Sequence, residues 1–157
     1  MDANDARALR QLLATRQVAA LGTLHQGEPA VSMVPFVLPM GHTAPIIHVS
    51  ALAPHTRDLQ QHPRVSLLVM AELAEGAAPQ ALPRVALQAD AQMLESGSAD
   101  HAAARAAYLV RFPASAVTFE LGDFSLVALQ PVSARLVAGF GRAHALTGPA
   151  LADWLAG

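Results

Sequence analysis

Seven short β-prone runs, separated by turn signals and not by helices at regular intervals, constrain this chain more than any other feature. They occupy residues 18–24, 30–38, 46–50, 64–70, 84–94, 119–129 and 134–138. The first two flank His25-Gln26-Gly27-Glu28, a four-residue turn in which Gly27 suits a positive φ, so they form a hairpin. Without strand–helix alternation a doubly wound parallel sheet is disfavoured, and an antiparallel barrel of six or seven strands is expected. Two or three helices accompany it. Leu9, Leu12 and Leu13 stand at helical spacing over residues 4–15, with Asn4 or Asp5 as the cap. Residues 56–62 make a helical turn stopped by Pro63, and Ser98 or Asp100 caps a helix that runs to Phe112 before Pro113. Residues 71–82 read as a loop. Residues 147–155 read as a tail helix with Thr147 as cap, Pro149 in its first turn, and Leu151, Trp154 and Leu155 on one face. Pro35 removes an amide donor inside the second run, which places it at a sheet edge, at a bulge, or where a ligand interrupts the ladder.

Of 157 residues, 53% are hydrophobic and 14% charged, enough apolar material for one domain with its own core. No apolar run approaches the ~20 residues that cross a bilayer, and no membrane partner is expected. The start, MDANDARALRQLL, is acidic and lacks the plan of an export signal, so a cytoplasmic location is the expectation. Cysteine is absent, which removes disulfides, thiol nucleophiles and Cys-ligated metal clusters. All ten basic residues are Arg, so Schiff-base chemistry and Lys-dependent phosphate loops are excluded. These arginines form no run that would track a nucleic acid, and the net charge is −2.

His42, His48, His55 and His62 match no metal-ligand spacing, and no metal site is expected. Ser32, Ser50, Ser66 and Ser125 lack the Gly-x-Ser-x-Gly elbow of a hydrolase. Gly139-Phe140-Gly141-Arg142 lacks the third glycine of a dinucleotide loop and reads as a turn after the last strand. The most informative stretch runs from Ser50 through Pro54-His55-Thr56-Arg57 to Leu59, a strand end leading into a helix start. Backbone amides, a hydroxyl, an imidazole and a guanidinium gathered there suit a phosphate monoester. The alternative is that Thr56 only caps the helix and Arg57 is a solvated charge.

The string IIHVSALAPHTRDLQQHPRVSLLVMAE, preceded by AALGTLHQGEPAVSMVPFVL, resembles the FMN-binding split-barrel superfamily that includes pyridoxamine 5'-phosphate oxidase. Within it the chain is most similar to the haem-utilisation-like branch, through His55-Thr56-Arg57, residues 63–68, 82–88, 119–124 and 136–142. The resemblance covers residues 10–144 and implies an FMN-binding split β-barrel, with 147–155 as a tail helix.

By position, the resemblance implies flavin contacts from Ser32, Met33, Val34, Pro35, Phe36 and Val37, then from His48 and Val49 with Ser50 beside them. It implies phosphate ligands at Pro54 and His55, extended by Thr56 and Arg57, and a hydrogen bond to the flavin from Arg84. It also implies a homodimer with the cofactor between subunits and an oxidoreductase whose flavin carries the electrons, with no catalytic side chain named. Three basic phosphate ligands of the oxidases are replaced by Ser32, Val37 and Pro54, and the oxidases' carboxyl-terminal Arg and His signature is missing. Pyridoxamine phosphate is therefore not the expected substrate. A non-catalytic flavin or haem carrier or sensor is the alternative, and a cofactor-free dimer the third reading.

Overall fold

The computed structural model describes residues 1–157. Helix α1 spans Ala3–Thr15, capped by Asp2, whose carboxylate accepts from the Asp5 amide at 2.8 Å. Asn4 and Asp5, expected as caps, lie inside the helix. Asp5 falls on the same face as Leu9, Leu12 and Leu13 and is buried with them. Strands β1 (Val18–His25) and β2 (Glu28–Val37) meet at Gln26-Gly27, whose φ angles of 53° and 85° are those of a tight two-residue hairpin turn. Then come β3 (Ile46–Ser50), α2 (Pro54–Gln61), β4 (Arg64–Met70), a 3₁₀ turn at Pro79–Ala81 and β5 (Arg84–Met93). Helix α3 (Ala99–Arg111) starts at Ser98, whose hydroxyl accepts from the His101 amide.

The last third departs from the sequence expectation. Residues Pro113–Glu120 form a 3₁₀ segment, and the strands expected at 119–129 and 134–138 are one strand, β6 (Phe124–Gly139). Its register against β5 shifts where Ala89 faces Pro131 and Gln88 faces Ser133. Pro131 and Val132 thus mark a bulge inside one strand, not a gap between two. Beyond Phe140-Gly141 the chain turns back as β7 (Arg142–Thr147), a strand the sequence does not announce because its half-exposed pattern carries little signal. Helix α4 (Gly148–Ala156) closes the chain with Leu151, Trp154 and Leu155 buried, although Thr147 makes no side-chain cap bond.

Every strand pairing is antiparallel, in the order β3-β2-β1-β4-β5-β6-β7, and β3 also pairs with β6. Six strands therefore close a ring and β7 hangs outside it. Inward residues such as Leu21, Phe36, Ile47, Leu67, Leu87 and Leu136 fill the interior, and α1 and α4 add Leu9, Leu13 and Trp154 to the same cluster. Outside the ring, Ile46, Leu126 and Ala128 pack beneath Ala104 and Tyr108 of α3. Strand β3 is thus covered on both faces.

One polar clamp ties α1 to the last hairpin. Arg142 pairs with the buried Asp5 and donates to the Ala138 carbonyl, while Trp154 Nε1 donates to the Ala6 carbonyl at 3.1 Å. Gly139 makes room for the guanidinium, since a Cβ there would stand 2.7 Å from Arg142 Nη2. Gly139→Ala should cost roughly 1–3 kcal/mol by displacing the partner of a buried carboxylate. In an Arg142→Ala background that cost should vanish, and urea denaturation of the four-member cycle reads the coupling. Equal costs in both backgrounds would break the assignment.

Candidate functional site

Strands β2 and β3 pair at only two positions, Phe36 with Ile47 and Val37 with Ile46. Toward Glu28 on one side and Ser50 on the other they part, because β2 spends its second edge on β1 and β3 spends its own on β6. The result is a seam bordered by two unpaired strand edges. Pro35 stands where the ladder stops, the place suited to a residue without an amide hydrogen.

At the end of the seam Ser50 begins a tight corner. Its hydroxyl donates to Asp123 Oδ2 at 2.8 Å and accepts from the Leu52 amide, while its carbonyl accepts from Thr56 Oγ1 at 2.6 Å. Thr56 is 3% exposed and its hydroxyl points into this knot. It is the third residue of α2 and not its cap, which is Ala53 with no side-chain bond. His55 is half-buried, and desolvation holds its imidazole below the ordinary value against an opposing pull from Asp58. Arg57 is exposed, free of the ion pairs that occupy Arg16, Arg64 and Arg142. Asp58 pins the helix down: it is buried, accepts from Thr23 Oγ1 at 3.1 Å and meets His25 Nδ1 at 2.8 Å.

On the facing strand, side chains alternate. Val34 is buried toward the ring, and Ser32, on the same face, has a buried hydroxyl with no partner. Met33 points outward at 65% exposure, with Val31 beside it at 75%. On β3, Val49 belongs to the core and His48 faces the other way. The His48 ring stacks on Phe119 at 3.9 Å and 11°, meets Tyr108 edge-on, and has Nδ1 3.3 Å from Thr118 Oγ1. Neither side chain points into the seam, so His48 and Val49 offer it main chain only.

Arg84 lies elsewhere. It pairs with Val137, at the opposite end of β6 from Phe124, the partner of Ser50. Its guanidinium folds back on the carbonyls of Gln80 and Leu82, at 3.3 and 2.9 Å. A single chain thus gathers Ser50, His55, Thr56 and Arg57 at one corner and sets Ser32, Met33, Val34 and Pro35 along the seam, with Arg84 apart. Sequence reading missed Asp58 and Asp123, which organise the corner. Asp58 follows His55 by three residues, and Asp123 ends the Gly-Asp pair before β6, but nothing local marks the partner that either takes.

A six-stranded antiparallel ring, open along one seam and ending in a strand–turn–helix corner, defines the split-barrel class of β proteins. The family described as pyridoxamine 5'-phosphate oxidase matches residues 6–138, and the chain belongs to that family. It is 31% identical over 150 residues to the heme oxygenase HutZ of Vibrio cholerae, covering 95% of this chain and 83% of that one. It is 36% identical over 115 residues to a chloroplastic heme oxygenase, HOZ, of Arabidopsis thaliana, covering 73% of this chain and 33% of that protein. A solved heme binding protein from Mycobacterium smegmatis superposes with a TM-score of 0.85 at 35% identity, covering 98% of this chain and 62% of that one. The chain therefore spans a third of the Arabidopsis protein and less than two thirds of the mycobacterial one. The resemblance to the haem-utilisation-like branch holds. No helix is long and apolar enough to cross a membrane.

Burial, with a smaller push from His101, lowers the His48 imidazole from 6.5 to about 4. The unfolded chain binds the extra proton between those values, so the stability tied to a neutral His48 is complete above pH 6.5 and is lost as pH falls toward 4. His48→Phe keeps the stack on Phe119 and removes the titration. Chemical denaturation of both proteins across that range should show a shallower loss in the variant; parallel curves would contradict the assignment.

Proposed function

We propose that this chain binds haem and works as a pair of identical subunits joined over the seam. The state of the corner at α2 carries the reading. A flavin phosphate needs several charge-assisted donors, yet Ser32, Val37 and Pro54 supply no cation, and the hydroxyls of Ser50 and Thr56 are already spent within the chain. The Asp123 carboxylate beside Ser50 also repels an anion. Haem needs no phosphate socket: its iron takes an imidazole nitrogen and, when bound, supplies oxygen or electron chemistry. His25 is prepared for that role, because Asp58 engages Nδ1 and leaves Nε2 without a partner on a half-exposed ring. The similarity to haem proteins over most of the chain supports the same reading. The exposed Val31 and Met33 beside the open β2 edge support the pairing of subunits, since such an edge otherwise invites aggregation.

Haemin titrated into the purified chain should give a saturable Soret change. His25→Ala should weaken it about tenfold or more, equivalent to ~1.4 kcal/mol, while His42→Ala leaves it unchanged. No Soret change at all would overturn haem binding; equal affinity in His25→Ala would overturn only the ligand.

A second reading, an FMN-dependent oxidoreductase of unassigned substrate, is favoured by one observation: the buried Ser32 hydroxyl beside the seam has no partner. His55 and Arg57 would then hold the phosphate, and Met33 and Pro35 would lie along the ring. On this reading FMN fluorescence falls on mixing with the chain, and His55→Ala with Arg57→Ala weakens the change about tenfold at unaltered Tm. Unquenched FMN would remove it.

A further inference from the structure

A wide groove lies away from the seam. It has a volume of about 740 Å³ and runs between α1, α3, the chain leaving β2, and the end of α4. Three guanidinium groups, Arg7, Arg10 and Arg111, stand among apolar walls that include Leu38, Val110 and Leu155. No Asp or Glu side chain lines it, so the one carboxylate against its three guanidinium groups is the main-chain terminus at Gly157.

Arg7 is not consumed by the fold, and Arg10 and Arg111 are consumed only in part. Arg7 is exposed and has no hydrogen bond or ion pair within the chain, unlike Arg16, Arg64 and Arg142. Arg10 reaches the Trp154 carbonyl only at 3.4 Å, the outer limit of a hydrogen bond. Arg111 spends one terminal nitrogen on the carbonyls of Thr15 and Arg16, while its Nε is buried with no partner. A buried donor left empty in this way is uncommon in a finished structure. The apolar side is similarly unfinished, since Val110 is 84% exposed and Met40 99%.

We infer that this groove binds an organic carboxylate with an apolar body, of medium-chain fatty-acid size or larger. The guanidinium fork matches a carboxylate in two parallel hydrogen bonds, and an apolar body would cover Leu38 and Val110. Clefts of this volume, mostly apolar with a few convergent polar groups, are ordinary small-molecule sites. Charge complementarity selects the occupant: a neutral apolar molecule leaves the guanidinium groups unpaired, and a purely polar anion leaves the walls in water. The inference does not rest on the haem reading, which concerns the opposite end of β1.

Calorimetric titration with octanoate and with 1-octanol tests it. Octanoate should bind at least about tenfold more tightly than the alcohol, and Arg7→Gln with Arg10→Gln should remove that preference. Val110→Asp at the rim should weaken octanoate, and His25→Ala should not. Equal binding of acid and alcohol by the native chain overturns the inference, as does a preference retained in the double variant. Co-sedimentation with phosphatidylglycerol vesicles that octanoate does not displace overturns it in favour of a membrane contact. A double variant that elutes as a different oligomer overturns it in favour of an interface between copies of the chain.

Discussion

The structure depends on β6 serving two partners along one edge. Its first half pairs with β3 from Phe124 to Ala128, its second half carries β7, and β5 runs along the other side. A straight strand would carry these partners into one open sheet. The bulge at Pro131 and Val132 adds bend and twist, which lets the first half close on β3 while the second diverges. Closure through β3 in turn forces β3 away from β2 beyond Phe36, and the seam is the consequence. The open edge of β2, the exposed Met33 and the unpartnered Ser32 hydroxyl all follow from that geometry.

At the end of the seam, the buried Asp58 and the half-buried Asp123 decide what the corner offers. Asp58 fixes α2 against Thr23 and His25, and Asp123 takes the Ser50 hydroxyl. A buried carboxylate must be paired or it is costly, so these bonds hold the corner in one arrangement. The same bonds remove the hydroxyls from service toward a ligand. What remains is an imidazole oriented by Asp58, a half-buried His55 and a free Arg57. That set lacks the gathered cations and free hydroxyls that hold a phosphate dianion.

With no lysine in the chain, the distribution of guanidinium groups separates scaffold from available surface. Arg142 belongs to the scaffold: it neutralises Asp5 in the gap that Gly139 provides and joins α1 to the final hairpin. Arg64 pairs with Asp90 across β4 and β5, and Arg84 folds on its own loop. Arg7 has no such duty, Arg10 has only a long bond to the Trp154 carbonyl, and both line the groove beside α3.

Much was legible in the chain itself. The hairpin between His25 and Glu28, the strands Ile46–Ser50 and Arg64–Met70, a cap at Ser98 or Asp100 and the apolar face of α4 all rest on turn chemistry and periodicity within a few neighbours. The absence of Cys and Lys narrowed the chemistry before any fold was known. The continuity of β6 across Pro131, the existence of β7, the burial of Asp5, the spent hydroxyls of Ser50 and Thr56, and the retreat of Arg84 were decided only by tertiary structure. Each depends on a partner far along the chain: Asp123 for Ser50, Arg142 for Asp5, β5 for the bulge. Local sequence sets the conformation a segment prefers, whereas the free energy of pairing and burial belongs to contacts that exist only once the ring is closed.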